Sequence, residues 1–405
     1  MSICIKEALR IICKNITKVS CEVIPIENIH GRILAEDIYA NLSLPTFNNS
    51  AMDGYAVKFD DAGKKVKVVD TIFAGSDKRT NFEESQCVKI MTGARVPTTT
   101  EAIVPQELVE IIDKDTILLP STIKINQHIR FTGEDIEKGE KLLCEGDDLN
   151  FSSVTILASQ GTTHVKVYRK PKISVFTSGE ELKLHYEKIE EYQIYNSNTP
   201  TLLARTEELG ADVTFVGMAK DNINSLKEVI SNSLYADFII TSGGISVGDA
   251  DFTKEAFDSF NMETLFNGIT IKPGKPTVFG KINNTYILNL PGNPLAAALI
   301  FEVFGKVIMQ KLSGSKNIYH NTLLAKMGEK LDNKKGRTTI IPGFFDGEFF
   351  TASQKRAAGM VGVLHKCNSI MVLNKQNEKI EKDAIVKILP INWKFFTDIE
   401  KDYFN

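Results

Sequence analysis

Four nearly continuous apolar segments alternate with helical patterns in the middle third of the chain. The apolar segments are ISVFTSG, ADVTFVG, ADFIITSGG and TYILNLPG, and the helical patterns include TPTLLARTEELG, NSLKEVISNSL and PLAAALIFEVFGKVIMQKL. Strands that are apolar throughout and separated by helices are typical of a parallel sheet covered on both faces. We therefore predict a central doubly wound, mostly parallel α/β domain over residues 169–314. Ligands of such a sheet bind at the carboxyl ends of its strands.

The segments on either side of this α/β region have a different pattern. Residues 45–135 contain short β-like runs broken by Gly, Pro and Asp, which indicates a small β domain. We predict that it is inserted into an elongated linker domain formed by residues 1–44 and 136–168. Short β runs return over residues 315–405, and they predict a β-barrel-like C-terminal domain. A chain of 405 residues is long enough for these several domains.

Charge, hydropathy and cysteine usage exclude several classes of function. The formal net charge is −3, so the chain has no bulk attraction for nucleic acid or an anionic membrane. No apolar run approaches the length of a membrane span, and the N-terminal MSICIKEALRIICKN is typical of an amphipathic helix rather than a signal peptide. The six cysteines form no CxxC pair, which favours free thiols in the cytoplasm. We expect a cytoplasmic protein without nucleic-acid or membrane partners.

Common catalytic signatures are missing from the sequence. The six histidines form no HxxxH or His/Cys cluster, which disfavours a zinc site. The sequence has no GxSxG elbow, no GxxxxGKS/T loop and no GxGxxG after a predicted strand. These absences disfavour a serine hydrolase, a common NTPase and a Rossmann dehydrogenase.

The segment TSGGISVGDADFTKEAF, residues 241–257, runs from a predicted strand through two glycines into a helical pattern. Gly243 and Gly244 allow the backbone to approach a ligand closely, and a helix start offers unpaired N–H groups to an anion. Asp249 and Asp251 would repel a bare phosphate, but they fit a phosphorylated ligand if a divalent cation lies between. A tight turn followed by a capping aspartate explains the same residues. The segment alone does not decide between the two interpretations.

Two further strings in the α/β region have the chemistry of an anion site. In KPGKP, residues 272–276, two lysines flank a rigid Pro-Gly corner, so both ammonium groups can converge on one anion. In LPGNPLAAA, residues 290–298, Asn293 suits a helix cap and Pro294 the first helical position, while Pro291-Gly292 leaves the helix start accessible. A solvated turn and an ordinary cap are the structural alternatives.

Acidic residues follow two other predicted strands. Glu180 and Glu181 come after ISVFTSG, and Asp221 follows ADVTFVGMAK. Each of them alone is explained as a first-turn acid favoured by the helix dipole. Because these acids, the aspartates of the glycine segment and the lysine pair lie at equivalent strand ends of one sheet, we interpret them together as a site for a hard cation beside oxyanions.

The ordered set of motifs resembles one protein family. NSAMDGYA, MTGA, RFTGEDI, TSGEEL, a strand-end aspartate, TSGGISVGDADFTK, KPGKP and LPGNP occur here in this order. Together they resemble the MoeA family of molybdopterin molybdenumtransferases, which is also similar to the E domain of gephyrin. Each motif is weak by itself, whereas their order over about 250 residues is specific, and the resemblance spans nearly the whole chain.

The resemblance implies an enzyme that receives adenylylated molybdopterin and molybdate. With Mg²⁺, such an enzyme cleaves the adenylyl phosphate bond, leaves molybdenum on the dithiolene sulfurs and releases AMP. The resemblance also implies a homodimer whose active site lies between the α/β domain of one subunit and the β domain of the other. The linker domain would carry dimerisation, and molybdopterin adenylyltransferase is a further partner that the resemblance suggests.

The family motifs assign roles to individual residues of this chain. The resemblance implies catalytic roles for Asp53, Thr92, Asp135, Glu181, Asp221 and Asp251. It implies substrate contacts by Gly243, Gly244, Ser246, Asp249, Lys272, Pro273, Gly274, Lys275, Pro291, Gly292, Asn293 and Pro294. Since Mg²⁺ prefers oxygen ligands, the candidate metal ligands are Glu181, Asp221, Asp249 and Asp251.

Two positions depart from the family pattern. Where many relatives carry a lysine four residues before KPGKP, this chain has Gly268, which removes one expected anion contact. Where many relatives carry a serine in a turn of the last domain, this chain has Ala357 and Ala358, preceded by Lys355 and Arg356 as alternative anion binders. These departures leave tungstate open as the oxyanion.

Two other functions stay open at this point. Related single α/β domains adenylylate molybdopterin, but the four-domain architecture predicted here disfavours that reaction. A non-catalytic scaffold in the manner of gephyrin is the second alternative. The intact Asp53, Asp251 and KPGKP motif disfavour it.

Overall fold

The computed structural model describes residues 2–244, 252–334, 336–376 and 379–392, together with residues 400 and 402. The chain divides into two compact units. The first comprises Met1–Glu36, Glu145–Phe151 and His164–Asn405, and the second comprises Asp37–Cys144 and Ser152–Thr163. This division does not test the four domain boundaries predicted from the sequence, which stay a prediction.

A six-stranded sheet forms the centre of the first unit. Its order is Asp212–Ala219, Lys172–Ser178, Phe238–Ser242, Thr285–Leu290, Val278–Ile282 and Glu263–Asn267. The first four strands are parallel, and each of the last two runs antiparallel to the strand before it. The predicted doubly wound, mostly parallel α/β domain is confirmed, with an antiparallel edge.

Both faces of this central sheet are buried. Along strand Phe238–Ser242, Ile240 packs in one apolar cluster with helix Asn198–Glu208. The preceding residue, Ile239, packs in a second cluster with helix Ile223–Ser233. Successive strand residues point to opposite faces of a sheet, so a strand covered on both sides has to be apolar at every position.

Helices pack around this central sheet. The N-terminal helix, predicted to be amphipathic, buries Ala8 and Ile12 and is confirmed. A π-helical turn, Phe301–Gly305, joins two consecutive helices of the last α/β segment, and a Cβ at Gly305 would lie 2.3 Å from the ring of Phe301. The described helices of the unit are Ile5–Asn15, Asn198–Glu208, Ile223–Ser233, Phe252–Asp258, Pro294–Ile300, Lys306–Leu312 and Gly362–His365.

A buried ion pair joins two of these helical segments. Arg205 donates from Nε to Oε1 of Glu302 at 2.7 Å and from Nη2 to Oε2 at 3.1 Å. Glu302 lies in the π-helical turn and is 7% exposed. Arg205 also donates from Nη2 to the carbonyl oxygen of Ile391 at 2.7 Å. One guanidinium therefore links helix Asn198–Glu208 to the π-helical turn and to the chain that follows the last strand.

Five strands of the C-terminal region close into a ring in which each pairs with two others. Phe350 and Ile388 are fully buried in its apolar interior, and the predicted β-barrel-like domain is confirmed. The short strand Ile271–Lys272 adds to the outside of the ring by parallel pairing. The five strands are Leu323–Met327, Thr338–Phe345, Phe349–Ala352, Ser369–Leu373 and Ile385–Pro390.

Smaller elements complete the first unit. Its two-stranded pairs are Cys21–Pro25 with His164–Tyr168, Leu182–Lys183 with Ile194–Tyr195, and Leu331–Asp332 with Lys379–Ile380. A 3₁₀ turn covers Ile26–Asn28. Within the described residues of the whole chain, every helix is too short or too polar to cross a lipid bilayer.

The second unit is built around another six-stranded sheet. Two apolar clusters occupy it, one around Tyr55 and Val104 and one around Ile72 and Ile90. Its strand order is Ala102–Pro105, Gly54–Val57, Gln86–Ile90, Lys65–Ile72, Thr116–Leu118 and Glu110–Ile111. Further pairs are Ile38–Tyr39 with Lys141–Leu143 and Asn49–Ser50 with Ile129–Arg130, and the remaining helical elements are Phe59–Asp61, Gln106–Leu108 and Phe151–Ser159.

We expect Glu302→Gln to lower the free energy of unfolding by about 3 kcal/mol, because it leaves the guanidinium of Arg205 without its buried carboxylate. The matched control is Glu208→Gln. Glu208 accepts from the same guanidinium at 2.6 Å but has a side chain that is 62% exposed, so its loss should cost less than about 1 kcal/mol. Urea denaturation followed by circular dichroism measures both, and equal losses would contradict the prediction.

Candidate active site

The carboxyl ends of the parallel strands open into a cleft of about 920 Å³ in the first unit. This is the edge at which the sequence predicted a ligand site. Predicted site residues from three motifs and from one strand end line the cleft: Glu181, Asp221, Gly243, Gly244, Pro291, Gly292, Asn293 and Pro294. Ser246, Asp249 and Asp251, which belong to the same prediction, lie outside the described residues.

Two carboxylates stand on one side of this cleft. Glu181 and Asp221 are both exposed, and the backbone N–H of Glu180 donates to Oδ2 of Asp221 at 3.3 Å. Gly179 directly follows strand Lys172–Ser178 and has φ +147°, a conformation that favours glycine, and a Cβ there would lie 2.7 Å from Oε2 of Glu181. The bond from the N–H of Glu180 keeps the turn that carries Glu181 next to Asp221.

The carboxylate oxygens of Glu181 and Asp221 suit a magnesium ion. Among the described residues, no group of three or more His, Cys, Asp or Glu side chains is arranged to hold a metal. Mg²⁺ does not require such a cage, because it keeps several waters and is usually held by one or two carboxylates together with substrate phosphates. Glu181 and Asp221 supply two oxygen donors of that kind.

The glycine turn after strand Phe238–Ser242 has no room for side chains. Gly243 has φ +95°, and its Cβ would lie 2.6 Å from the carbonyl oxygen of Ser178. Gly244 has φ +67°, and its Cβ would lie 2.1 Å from Oγ1 of Thr253. Both glycines are required sterically and conformationally, and the bare backbone of this turn is open to a ligand in the cleft.

Asn198 forms hydrogen bonds to two segments that line the cleft. Its Nδ2 donates to the carbonyl oxygen of Gly292 at 2.8 Å and to Oγ of Ser242 at 3.3 Å. Oγ of Ser242 in turn lies 3.3 Å from Oγ1 of Thr177. One amide group thus joins the start of helix Asn198–Glu208 to the ends of two parallel strands.

The LPGNP motif forms a helix start without a side-chain cap. The helix begins at Pro294 with Asn293 in the N-cap position, as predicted, but the side chain of Asn293 makes no capping bond and is exposed. The N–H of Ala296 donates to the carbonyl oxygen of Ala358 at 3.3 Å. The alanine turn of the C-terminal region therefore accepts one of the N–H groups at this helix start, and Asn293 lines the cleft.

The lysines of KPGKP do not line the cleft. Lys272 and Lys275 are exposed, and the backbone of Lys272 pairs with Thr339 of the barrel. Gly274, with φ +112°, packs so closely on Ile300 that a Cβ would lie 2.3 Å from that side chain. Pro276 is the member of this string that reaches the cleft wall. That the two ammonium groups bind one anion stays a prediction.

The motifs of the second unit lie close to one another. Thr92 donates to Oδ1 of Asp53 from its backbone N–H at 2.7 Å and from its hydroxyl at 2.8 Å. These two bonds lower the pKa of the exposed Asp53 carboxyl below its ordinary value. Thr132 of RFTGEDI likewise donates from its N–H and hydroxyl to Oδ1 of Asn48, at 2.9 and 3.1 Å.

Asp135 is held differently from the other predicted acid of this unit. Its backbone N–H donates to the carbonyl oxygen of Leu44 at 3.0 Å, and its side chain is exposed. The structure therefore brings Asp53 and Thr92 into direct contact. Within the described residues, Asp135 lies in the same unit without a hydrogen bond to either of them. Their catalytic roles stay predictions.

Sequence reasoning missed several residues of the cleft. Asn198 was outside the predicted helix TPTLLARTEELG, although an asparagine directly before such a pattern is a signal for a helix start. Tyr195, Ser178 and Thr253 also line the cleft, and no short-range pattern distinguishes them. They are recognisable only after the strand ends have been brought together.

Comparisons with known proteins find one family along most of the chain. Residues 3–161 match a family model described as the MoeA N-terminal region, domain I and II, and residues 174–311 match one described as a probable molybdopterin binding domain. The molybdopterin molybdenumtransferase of Haemophilus influenzae is 35% identical over 92% of this chain and 94% of that protein. The protein of the same name from Staphylococcus epidermidis is 33% identical over 84% of this chain and 83% of its own.

A solved structure supports the same likeness. It is described as a molybdopterin biosynthesis MoeA protein from Pyrococcus horikoshii, and it superposes with a TM-score of 0.84 at 25% identity. The superposition covers 96% of this chain and 100% of that one. The likeness therefore extends through both units and the C-terminal barrel.

We expect Asn198→Asp to lower the free energy of unfolding by about 2 kcal/mol, because a carboxylate cannot donate to the carbonyl oxygen of Gly292. The matched control is Asn222→Asp. Asn222 uses Oδ1 to accept from the N–H of Ser225 at 2.9 Å, a bond that a carboxylate keeps. Urea denaturation compares the two variants, and equal stability of both would show that the Asn198 amide does not hold the cleft.

Proposed function

Because the chain belongs to the family of molybdopterin molybdenumtransferases, transferases of molybdenum cofactor biosynthesis, we propose that it inserts molybdenum from molybdate into adenylylated molybdopterin. In this reaction the adenylyl phosphate bond is cleaved, AMP is released and molybdenum remains on the dithiolene sulfurs. The observation that carries the proposal is the single cleft lined by the GEEL, TSGG and LPGNP motifs and by Asp221. Sequence similarity over nearly the whole chain supports it.

The metal proposed for this reaction is Mg²⁺, with Glu181 and Asp221 among its ligands. When bound, it would neutralise charge on the phosphoanhydride that is cleaved. Because charge neutralisation and positioning are the main requirements of such a cleavage, the chain needs no nucleophilic Ser or Cys. Asp249 and Asp251 are the further ligands that we propose from the sequence.

The remaining cleft residues would bind and orient the anionic substrates. The bare backbone at Gly243 and Gly244 lets a phosphate approach closely, and the exposed amide of Asn293 is available to donate to a substrate oxygen. Asn198 fixes the separation of these two turns through its bonds to Ser242 and Gly292. Preorganised donors of this kind stabilise charge without further rearrangement.

We further propose that the protein works as a homodimer in the cytoplasm. Asp53 and Thr92 would then serve the cleft of the partner subunit, and molybdopterin adenylyltransferase would deliver the adenylylated substrate. The contact between Asp53 and Thr92 supports a functional role, since it keeps the exposed carboxylate oriented and ionised. Tungstate is the alternative oxyanion to molybdate.

The decisive test supplies the purified protein with adenylylated molybdopterin, Mg²⁺ and either molybdate or tungstate. Release of AMP together with metal bound to the pterin supports the proposal, and the two oxyanion arms identify the substrate. In a parallel reaction with ATP and molybdopterin, release of pyrophosphate would instead assign the protein to the preceding adenylylation. Binding of the pterin without release of any nucleotide would assign it to a scaffold.

In the same assay we expect Asp251→Asn to abolish AMP release, because the amide removes a charged oxygen ligand of the proposed metal. Size-exclusion chromatography should show an unchanged oligomeric state. The matched control is Asp258→Asn, since Asp258 is an exposed aspartate that does not line the cleft. Normal turnover by the Asp251 variant would refute its assignment.

We expect Asp53→Asn to reduce turnover by the same factor at every pH between about 5.5 and 8.5. The bonds from Thr92 lower the pKa of Asp53 below its ordinary value of 3.8, so the carboxylate is ionised throughout that range and is protonated only at lower pH. The ratio of variant to wild-type rates measures this, with Asp60→Asn as an exposed control in the same unit. A ratio that changes with pH would contradict the prediction.

A further inference from the structure

Four apolar side chains that line the cleft are exposed to solvent. Ile194 is 57% exposed, Tyr195 45%, Phe252 37% and Val361 56%, and all four line the cleft. Single exposed apolar residues are normal on a protein surface. Several of them around a concave site that also carries acids and bare backbone are typical of ligand contact.

The backbone that carries Tyr195 is firmly held on both sides. The N–H of Ile194 donates to the carbonyl oxygen of Glu181 at 2.9 Å, and the N–H of Asn196 donates to the carbonyl oxygen of Lys183 at 2.8 Å. Asn196 is buried, and its side chain bonds to Thr199 at 2.9 and 3.1 Å. Tyr195 therefore stands on a rigid two-stranded ribbon.

The side chain of Tyr195 itself has no hydrogen bond or ring contact within the described part of the chain. Tyr195 pairs with Lys183 in this ribbon, and Glu181, one of the two acids that line the cleft, directly precedes the paired strand. A ring on a fixed backbone loses little entropy when it binds a flat partner. A planar group stacked on Tyr195 would lie beside the place where a phosphate meets the acids and their cation.

We propose that Tyr195 is a specificity-determining residue that stacks on a planar nitrogen heterocycle joined to a phosphate. The identity of that ligand rests on the proposed function, because adenylylated molybdopterin carries two such rings, the adenine and the pterin. The stacking surface recognises the chemistry common to both. Tyr195 selects for the ring, whereas the acids and the glycine turn bind the phosphate.

The test compares ligands with and without a ring. AMP and ribose 5-phosphate share the sugar phosphate, so calorimetry with both in the presence of Mg²⁺ isolates the contribution of the adenine, and 6-hydroxymethylpterin supplies the pterin arm. Stacking of one base on an aromatic side chain is worth about tenfold in affinity. We expect Tyr195→Leu to lower the affinity for one ring ligand, AMP or the pterin, by about that factor. The affinity for ribose 5-phosphate should stay unchanged.

Two variants serve as controls. Tyr195→Phe keeps the ring face and should bind as the wild type does. Tyr192→Leu changes a tyrosine of the same segment that is 77% exposed and does not line the cleft, and it should leave all affinities unchanged. The proposal would be overturned if the wild type and Tyr195→Leu bound both ring ligands with equal affinity. It would also be overturned if Tyr195→Leu lost affinity for AMP and ribose 5-phosphate to the same extent, or if the wild type bound neither ring ligand.

The outcome separates this inference from the proposed function. Binding of AMP or of the pterin requires no turnover, so the pattern for Tyr195 can hold even if the protein releases no AMP from adenylylated molybdopterin. Conversely, the protein could release AMP normally while Tyr195→Leu leaves the affinity for both ring ligands unchanged. That result would support the proposed function and refute the stacking role of Tyr195.

Discussion

The burial of both faces of the central sheet is the constraint on which the cleft depends. Strands Phe238–Ser242 and Thr285–Leu290 are buried at every position, so polar groups reach solvent only where these strands end. The parallel arrangement brings those ends to one edge. Residues far apart in the sequence, such as Glu181 and Gly292, therefore line one cleft. The apolar packing of the strands therefore determines where the polar site residues lie. The acids do not have to be close to one another in the sequence to line the same cleft.

Two polar contacts then fix the distance between the cleft walls. Asn198, at the start of helix Asn198–Glu208, bonds to the turn at Gly292, and Arg205, two turns further along the same helix, bonds to Glu302 in the helical run that follows that turn. The helix is thus attached twice to one neighbouring segment, once at the solvent edge and once in the interior. A cleft held in this way loses little freedom when a ligand binds, so more of the contact energy contributes to affinity.

The sequence predicted the architecture better than the site. The apolar runs around Ile240 and Leu288 predicted parallel strands because burial on both faces leaves a strong signal, and short β runs predicted the barrel. The antiparallel edge at Val278–Ile282 and the π-helical turn at Glu302 depend on tertiary pairing and packing, which local patterns do not encode. Motif order predicted Glu181 and Gly243 at the cleft, whereas Asn198 acts through Gly292, nearly a hundred positions away, and a contact of that kind has no local signature.

The surrounding chain contacts both positions at which we expect a departure from the family pattern. At Gly268 the backbone has φ +88°, its carbonyl oxygen accepts from the N–H of Ile3 at 3.1 Å, and a Cβ would lie 2.7 Å from Oγ of Ser2. The hydroxyl of Ser2 would therefore have to move to admit a side chain at this position, and the positive φ favours glycine. Ala358 contributes through its backbone, since its carbonyl oxygen accepts from a helix N–H beside the cleft. A serine hydroxyl is not needed for that bond. Neither position belongs to the acids or the glycine turn that line the cleft.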